Sequence, residues 1–85
     1  MNKQWVHFHL SEALEELSRT VRELEQQGDG DEIELEVALT HVYHHLNTAW
    51  NSRRATLEST AEASEEDFQR WRSFPTDLTL PGQSR

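Results

Sequence analysis

Two long segments of this chain repeat apolar residues every three to four positions, and this spacing constrains the fold more than any other feature. In the first segment the apolar side chains fall within one arc of about 100° on a helical wheel, as in an amphipathic helix. They are Val6, Leu10, Ala13, Leu14, Leu17, Val21 and Leu24. Gly28 suits the end of such a helix. The pattern therefore predicts a helix over residues 6–27.

The second segment has the clearer pattern and predicts a helix over residues 32–54. Its apolar positions are Leu35, Ala38, Leu39, Val42, Tyr43, Leu46, Ala49 and Trp50. Asp31 is placed to cap the first turn, and Arg53 would interrupt the apolar face, which we expect to end near Asn51. Residues 28–31 form the predicted turn between the two helices. A connection this short favours an antiparallel helical hairpin.

Residues 5–10 fit two secondary structures. Val6, Phe8 and Leu10 alternate with Trp5 and the neighbouring histidines, as in a short strand, but two of them also continue the helical stripe. An isolated strand would have no partner in this chain. We therefore interpret the stretch as part of the first helix.

The C-terminal third predicts one further short helix, over residues 65–74. Ser64 and Asp67 form a pattern like a capping box, and Phe68 and Trp71 provide an apolar face before Pro75. Residues 55–64 are small and polar, and they fit either a solvated helix extension or a linker. We expect a single domain over residues 1–80 and a frayed tail over residues 81–85.

Length and charge narrow the classes of protein. The 85 residues carry 16 acidic and 8 basic side chains, a net charge of −8 with neutral histidines. This length allows one small domain. The acidity argues against binding to nucleic acid or to an anionic membrane, since both favour a basic surface. There is no cysteine, no apolar run of the roughly 18 residues typical of a membrane span and no secretory signal pattern, so we expect a cytoplasmic protein.

A helical hairpin of this size needs additional cover for its apolar side chains. Two helices enclose no interior, because each covers only one side of the other. The third helix can cover part of the seam, whereas pairing of two hairpins into a four-helix bundle would cover more. The expected fold is therefore all-α: an antiparallel hairpin with a short third helix, assembled as a homodimeric bundle. A compact three-helix monomer is the alternative.

Five histidines are the main chemical anomaly, and three of them lie in one short run of the second predicted helix. His41 and His45 are spaced i, i+4, which lets two imidazoles reach one divalent transition-metal ion. However, the chain lacks the His-Glu-x-x-His pattern of zinc hydrolases and the Glu-x-x-His pattern of di-iron bundles. Histidines that flank a helix seam are the simpler interpretation. We therefore expect no cofactor, with a metal at His41 and His45 as the alternative.

Histidine also titrates near pH 6.5. Protonated imidazoles on a seam would repel one another, so we expect weaker association near pH 5.5 than at pH 7.5.

A polar ridge runs through the second half of the same predicted helix. It comprises His44, Asn47, Trp50, Asn51 and Arg54. Asparagine is a poor helix former, so two within five residues call for a reason. Amides and a guanidinium offer directional hydrogen bonds to a ligand or a protein partner. The alternative is a polar face whose side chains bridge to another helix.

The sequence favours a role in interaction rather than catalysis. No nucleophile-elbow or phosphate-loop pattern surrounds the serines, and we expect no enzymatic activity. The preferred interpretation is an interaction or regulatory module that acts through self-association and an unidentified protein partner. The alternative is a metal- or small-ligand-binding helical bundle that uses the histidine-rich helix. An exposed apolar patch would favour the first class, and three convergent metal ligands would favour the second.

Overall fold

Four α-helices make up the part of the chain that the structure, a computed structural model, describes, namely residues 1–27 and 31–78. They are α1 (Lys3–Gln27), α2 (Glu32–Asn51), α3 (Leu57–Ala61) and α4 (Glu65–Arg72). No strand occurs within these ranges, which confirms the all-α prediction. Most of the predicted turn and all of the predicted tail lie outside the described residues.

The first helix begins three residues earlier than its apolar pattern predicts. Asn2 precedes the helix, and its side-chain oxygen accepts a hydrogen bond from the Trp5 backbone N–H at 3.1 Å. This is the arrangement of an N-cap, in which a side chain satisfies a donor of the first turn. Residues 5–10 are helical, which confirms that they are not a strand.

The second helix begins where the sequence predicts but stops at Asn51 rather than at residue 54. Asp31 caps its start by accepting a hydrogen bond from the Ile33 backbone N–H at 2.9 Å. At its end, the backbone N–H and the hydroxyl of Ser52 both donate to the Thr48 carbonyl. The chain then leaves the helix in a turn, so the apolar face ends near Asn51 as expected.

The segment after this turn contains α3, a separate helix rather than an extension of α2 or a plain linker. Thr56 caps it by accepting from the Ser59 backbone N–H at 3.0 Å, and none of its five residues is buried. In α4 the reciprocal capping box between Ser64 and Asp67 is present, as the sequence predicts. This last helix ends at Arg72 and not at residue 74, because the residue before Pro75 disfavours helical backbone angles.

The two long helices run antiparallel, and their beginning and end are tied together by polar contacts. Asn2 donates from its backbone N–H to the Arg53 carbonyl at 2.6 Å and from its side chain to the Ala55 carbonyl at 3.0 Å. One turn further on, the Trp5 indole N–H donates to the Ser52 hydroxyl at 2.7 Å. These bonds fix the start of α1 against the end of α2.

Small side chains occupy the contact between α1 and α2. We call this contact the alanine seam; its buried residues are Ala13, Ala38, Val42 and Ala49. Beside it, Trp71 of α4 is also buried and makes edge-to-face contacts with Trp5 and Phe68. These five residues are the whole buried apolar core of the described chain.

The leucines, by contrast, lie on the surface. All nine in the described residues are at least 38% exposed, and no large side chain there is fully buried. A single copy of this chain therefore leaves between 38% and 67% of each described leucine exposed to water. None of the described helices is both long and apolar enough to cross a lipid bilayer.

We expect the alanine seam to tolerate no larger side chain. Ala13→Leu would force α1 away from α2, and overpacking of this kind typically costs about 1–3 kcal/mol of the free energy of unfolding. Urea denaturation followed by circular dichroism measures the effect. Ser18→Leu, on an exposed side of the same helix, is the matched control and should change the stability by less than about 0.5 kcal/mol. Equal stability of the two variants would show that the seam is not tightly packed.

Candidate functional site

A cleft of about 700 Å³ lies along α2, on the side of the hairpin where α4 packs. Four of the five histidines line it: His9, His41, His44 and His45. We call this feature the histidine cleft. Its other walls include Arg72 and Phe68 from α4 and the aliphatic residues Ile33 and Val37 from the first turns of α2.

Two of the imidazoles that line the cleft contact each other across the alanine seam. The Nδ1 atoms of His9 and His45 lie 2.9 Å apart, a hydrogen-bond distance. One nitrogen must donate and the other accept, so the pair exists only while at least one of the two rings is neutral. Because His9 comes from α1 and His45 from α2, this bond joins the two helices where the cleft begins.

His9 is the most constrained of the four histidines. It is only 6% exposed, and its ring packs edge-on against Trp5 with the centroids 4.5 Å apart. Its second nitrogen, Nε2, is buried and has no hydrogen-bond partner among the described residues. Buried polar atoms are nearly always paired with protein or water, so this nitrogen marks a place where the described chain leaves a polar group unsatisfied.

Burial and neighbouring positive charge disfavour the protonated form of two histidines in the cleft. Burial, followed by the charge of His45, lowers the pKa of His9 from 6.5 to about 4. The pKa of His44 is also lowered, first by burial and then by the charges of Arg72, His41 and His45. Arg72 therefore places a positive charge close to His44, in a chain whose net charge is −8.

The predicted metal ligands both border the cleft, but the structure does not pair them. The hydrogen-bond partner of His45 is His9, from the other helix, whereas His41 is exposed. Within residues 1–27 and 31–78, no three histidine or carboxylate side chains are arranged to hold a metal ion. A metal at His41 and His45 therefore stays a prediction, without the convergent third ligand that would favour it.

The residues of the polar ridge make different contacts and do not act together. The Asn47 amide donates to the Arg72 carbonyl at 2.8 Å, and the Asn51 amide donates to the Trp71 and Ser73 carbonyls at 2.9 and 2.7 Å. The two asparagines thus satisfy carbonyls at the C-terminal end of α4, which helix geometry leaves without intrahelical partners. This is the helix-bridging role that the sequence offered as the alternative to ligand binding.

The remaining ridge residues do not come together in one site. Trp50 donates from its indole to the Asp77 carboxylate at 2.9 Å, and the Arg53 guanidinium stacks 3.8 Å from the Trp50 ring centroid. His44 lines the histidine cleft, while Arg54 is exposed outside it. A binding role for the ridge as a whole remains a prediction.

Two residues that shape the cleft, His9 and Arg72, are not among the site residues that the sequence predicts. His9 belongs to the stretch that fits either a strand or a helix, and once this stretch is helical the i, i+4 spacing of Trp5 and His9 places both on the side of α1 that meets α2. Arg72 comes from the other end of the chain and reaches the cleft only because α4 folds back onto α2. Spacing along one helix could have revealed the first residue but not the second.

A second surface lies on the opposite side of the hairpin. On α1 the exposed apolar side chains are centred about 90° around the helix axis from the side chains that contact α2. On α2 the exposed apolar side chains are centred about 70° from the side chains that contact α1, in the same sense of rotation. In an antiparallel pair, equal rotations bring both stripes to one side. We call this surface the leucine face; its members are Leu10, Leu14, Leu17, Val21 and Leu24 of α1 and Leu35, Leu39 and Leu46 of α2. By the same geometry α4 lies on the other side, with the cleft.

No protein-family model matches this chain, and no curated protein or solved structure is significantly similar to it. The features of this chain that point to a function are its two surfaces, an open leucine face and a histidine cleft.

Acidification is expected to weaken the fold through His9. The folded chain holds the pKa of His9 at about 4, against 6.5 in the unfolded chain. The unfolded state therefore binds the proton more tightly. The contribution of His9 to the free energy of unfolding is present above pH 6.5 and falls by up to about 3 kcal/mol as the pH drops toward 4. Urea denaturation of the wild type between pH 7.5 and 4.5 measures this loss.

Carboxylates also titrate at the acid end of this range, so the comparison is made between variants. His9→Gln should show a smaller loss of stability on acidification than the wild type, because it removes the buried imidazole. His7→Gln, which alters an exposed histidine on the same helix, should keep the wild-type dependence. Parallel pH profiles for the wild type and His9→Gln would contradict the assignment.

Proposed function

We propose that this chain is a non-catalytic interaction module that self-associates through the leucine face into a dimeric helical bundle. The observation that carries the proposal is the exposure of every described leucine, while the buried apolar core of residues 1–27 and 31–78 is three alanines, one valine and one tryptophan. Soluble monomers rarely leave a contiguous apolar patch of this kind uncovered, and such patches commonly mark protein–protein contacts.

The described helices offer no internal cover for this surface. The face is formed by α1 and α2 themselves, and α4 packs against α2 on the other side. The remaining helix, α3, has no buried residue and no extensive contact with the hairpin. Cover from another chain is therefore the arrangement that removes these leucines from water.

A second copy of this chain is the occupant that fits best. The leucine face is formed by two helices, and two such surfaces stacked about a twofold axis make a four-helix bundle. Twofold dimers are the commonest oligomers of soluble proteins. Each copy brings eight aliphatic side chains between 38% and 66% exposed. Burying one half-exposed aliphatic side chain contributes about 1 kcal/mol. The sixteen side chains of two copies together therefore offset the free-energy cost of lost translational and rotational freedom on association, which is about 4–15 kcal/mol.

Such a dimer would keep the rest of the molecule accessible. The histidine cleft and α4 lie on the side of the hairpin that faces away from the leucine face. A dimer built in this way presents two identical outer surfaces to further partners, which is the property expected of a small adaptor or regulatory subunit.

A charge in the centre of the leucine face should separate the two copies. Leu14→Glu places a carboxylate where the second copy would pack, and burying an unpaired charge is strongly unfavourable. We expect the wild type to sediment at micromolar concentration with twice the mass of one chain. Leu14→Glu should sediment with the mass of one chain and keep its helical circular dichroism.

The chain supplies a close control for this experiment. Leu57 is 67% exposed, against 66% for Leu14, but it lies on α3, outside the leucine face. Leu57→Glu should therefore sediment like the wild type. The proposal is wrong if the wild type is a monomer at these concentrations, or if the two variants lower the association equally.

A further inference from the structure

We propose that the histidine cleft binds a small organic carboxylate that carries an apolar group, with the carboxylate beside Arg72 and His44 and the apolar group along Phe68 and toward Val37. The cleft volume of about 700 Å³ is that of a site for a small ligand. The inference does not rest on the leucine face, which lies on the opposite side of the hairpin.

The charges in the cleft favour a singly charged anion. Arg72 is its permanent cation, and no carboxylate of the described residues forms an ion pair with it. Glu36 also lines the cleft, but it lies two helical turns from His44, about 12 Å along α2. That distance exceeds the screening length of about 8 Å at physiological ionic strength. One free guanidinium matches one carboxylate, whereas a doubly charged phosphate would find only half of its charge balanced.

Hydrogen-bonding groups surround the same end of the cleft. A guanidinium offers paired donors that fit the two oxygens of a carboxylate, and His44 can add an imidazole N–H. Deeper in the wall, the buried Nε2 of His9 has no partner in the described chain. Since this nitrogen is closed to solvent, the contacts proposed for the carboxylate are with Arg72 and His44 alone.

The other end of the cleft is apolar and accessible. Ile33 is 71% exposed and Val37 is 55% exposed, although both belong to a helix that packs on two sides. Phe68 lies one turn before Arg72 on α4 and forms part of the same wall. A ligand with only a charged group would leave these side chains in water. An aromatic or aliphatic extension of the carboxylate would cover Phe68 and extend toward Val37.

Binding should take up a proton. The groups that face His44 are Arg72 from α4, His41 and His45 on its own helix, His9 from α1 and, further away, Glu36. A carboxylate bound beside Arg72 and His44 stabilises the protonated form of the His44 imidazole, and by linkage protonation then tightens carboxylate binding. The affinity is therefore expected to be higher at pH 6 than at pH 8.

The test uses 4-phenylbutyrate, which remains a monoanion over this pH range, and the full-length chain. Titration followed by ¹⁵N–¹H NMR should give saturable shifts in residues of the cleft, with a Kd on the order of 1 mM for a ligand of this size. The affinity should be at least threefold higher at pH 6 than at pH 8. The uncharged analogue 4-phenyl-1-butanol should bind at least fivefold more weakly.

Two arginine variants separate a site from general attraction to positive charge. Arg72→Gln should weaken the binding of 4-phenylbutyrate at least fivefold, and it leaves the backbone carbonyl that Asn47 holds in place. Arg54→Gln makes the same change of charge outside the cleft and should change the affinity less than twofold. Circular dichroism verifies that both variants are folded.

Three results would overturn the proposal: equal weakening by the two variants, equal affinity for the alcohol, or shifts confined to the leucine face. Tighter binding of phenyl phosphate than of 4-phenylbutyrate at pH 8 would also overturn it, because it would assign the cleft to a doubly charged ligand. Repeating the titration with Leu14→Glu keeps the two proposals distinguishable, since loss of self-association should leave the affinity of the cleft unchanged.

Discussion

The close approach of α1 and α2 across small side chains is the constraint on which the rest of this structure depends. Ala13, Ala38 and Ala49 are buried between the helices, with Val42 as the largest aliphatic residue of the seam. Helices that meet through alanine leave no room for leucine between them. The leucines are consequently turned to one side, where they form a continuous apolar surface instead of a core. The helical hairpin is thus built with its main apolar surface on the outside.

Polar contacts specify how the two helices are aligned. A shift of α1 along α2 by one turn would move Ala13 away from its neighbours and replace it by a larger side chain. The bond between His9 and His45, together with the bond from Trp5 to Ser52, would be broken by such a shift. Because buried polar groups are costly to leave unpaired, these two contacts penalise other alignments. The same contacts place His9 at the wall of the cleft, so the alignment of the hairpin and the geometry of the candidate site have one origin.

Periodicity and capping residues predicted the helices well, while contacts between helices were beyond their reach. The apolar spacing in α1 and α2, the cap at Asp31 and the capping box at Ser64 are local signals, and each has its counterpart in the structure. A helix as short as α3 has too few residues to show a period. The i, i+4 spacing drew attention to His41 and His45, but the partner of His45 is His9.

That cross-helix pairing depends on the alignment of α1 and α2, which no single-helix pattern contains. The same limit applies to Arg72, which reaches the cleft only through the packing of α4 on α2. Local sequence patterns therefore predict where the helices lie along the chain, but they do not predict which residues of different helices contact each other.

The first turns of α2 connect the two proposed binding surfaces. Ile33, Leu35, Val37 and Leu39 alternate along the sequence, and a helix sends such residues to both of its sides. Leu35 and Leu39 belong to the leucine face, whereas Ile33 and Val37 line the histidine cleft. A helix that is apolar on several sides is stable when each of those sides is covered. A partner on the leucine face would cover Leu35 and Leu39 but would leave Ile33 and Val37 exposed. The sequence of α2 therefore argues for a second occupant, on the side of the cleft.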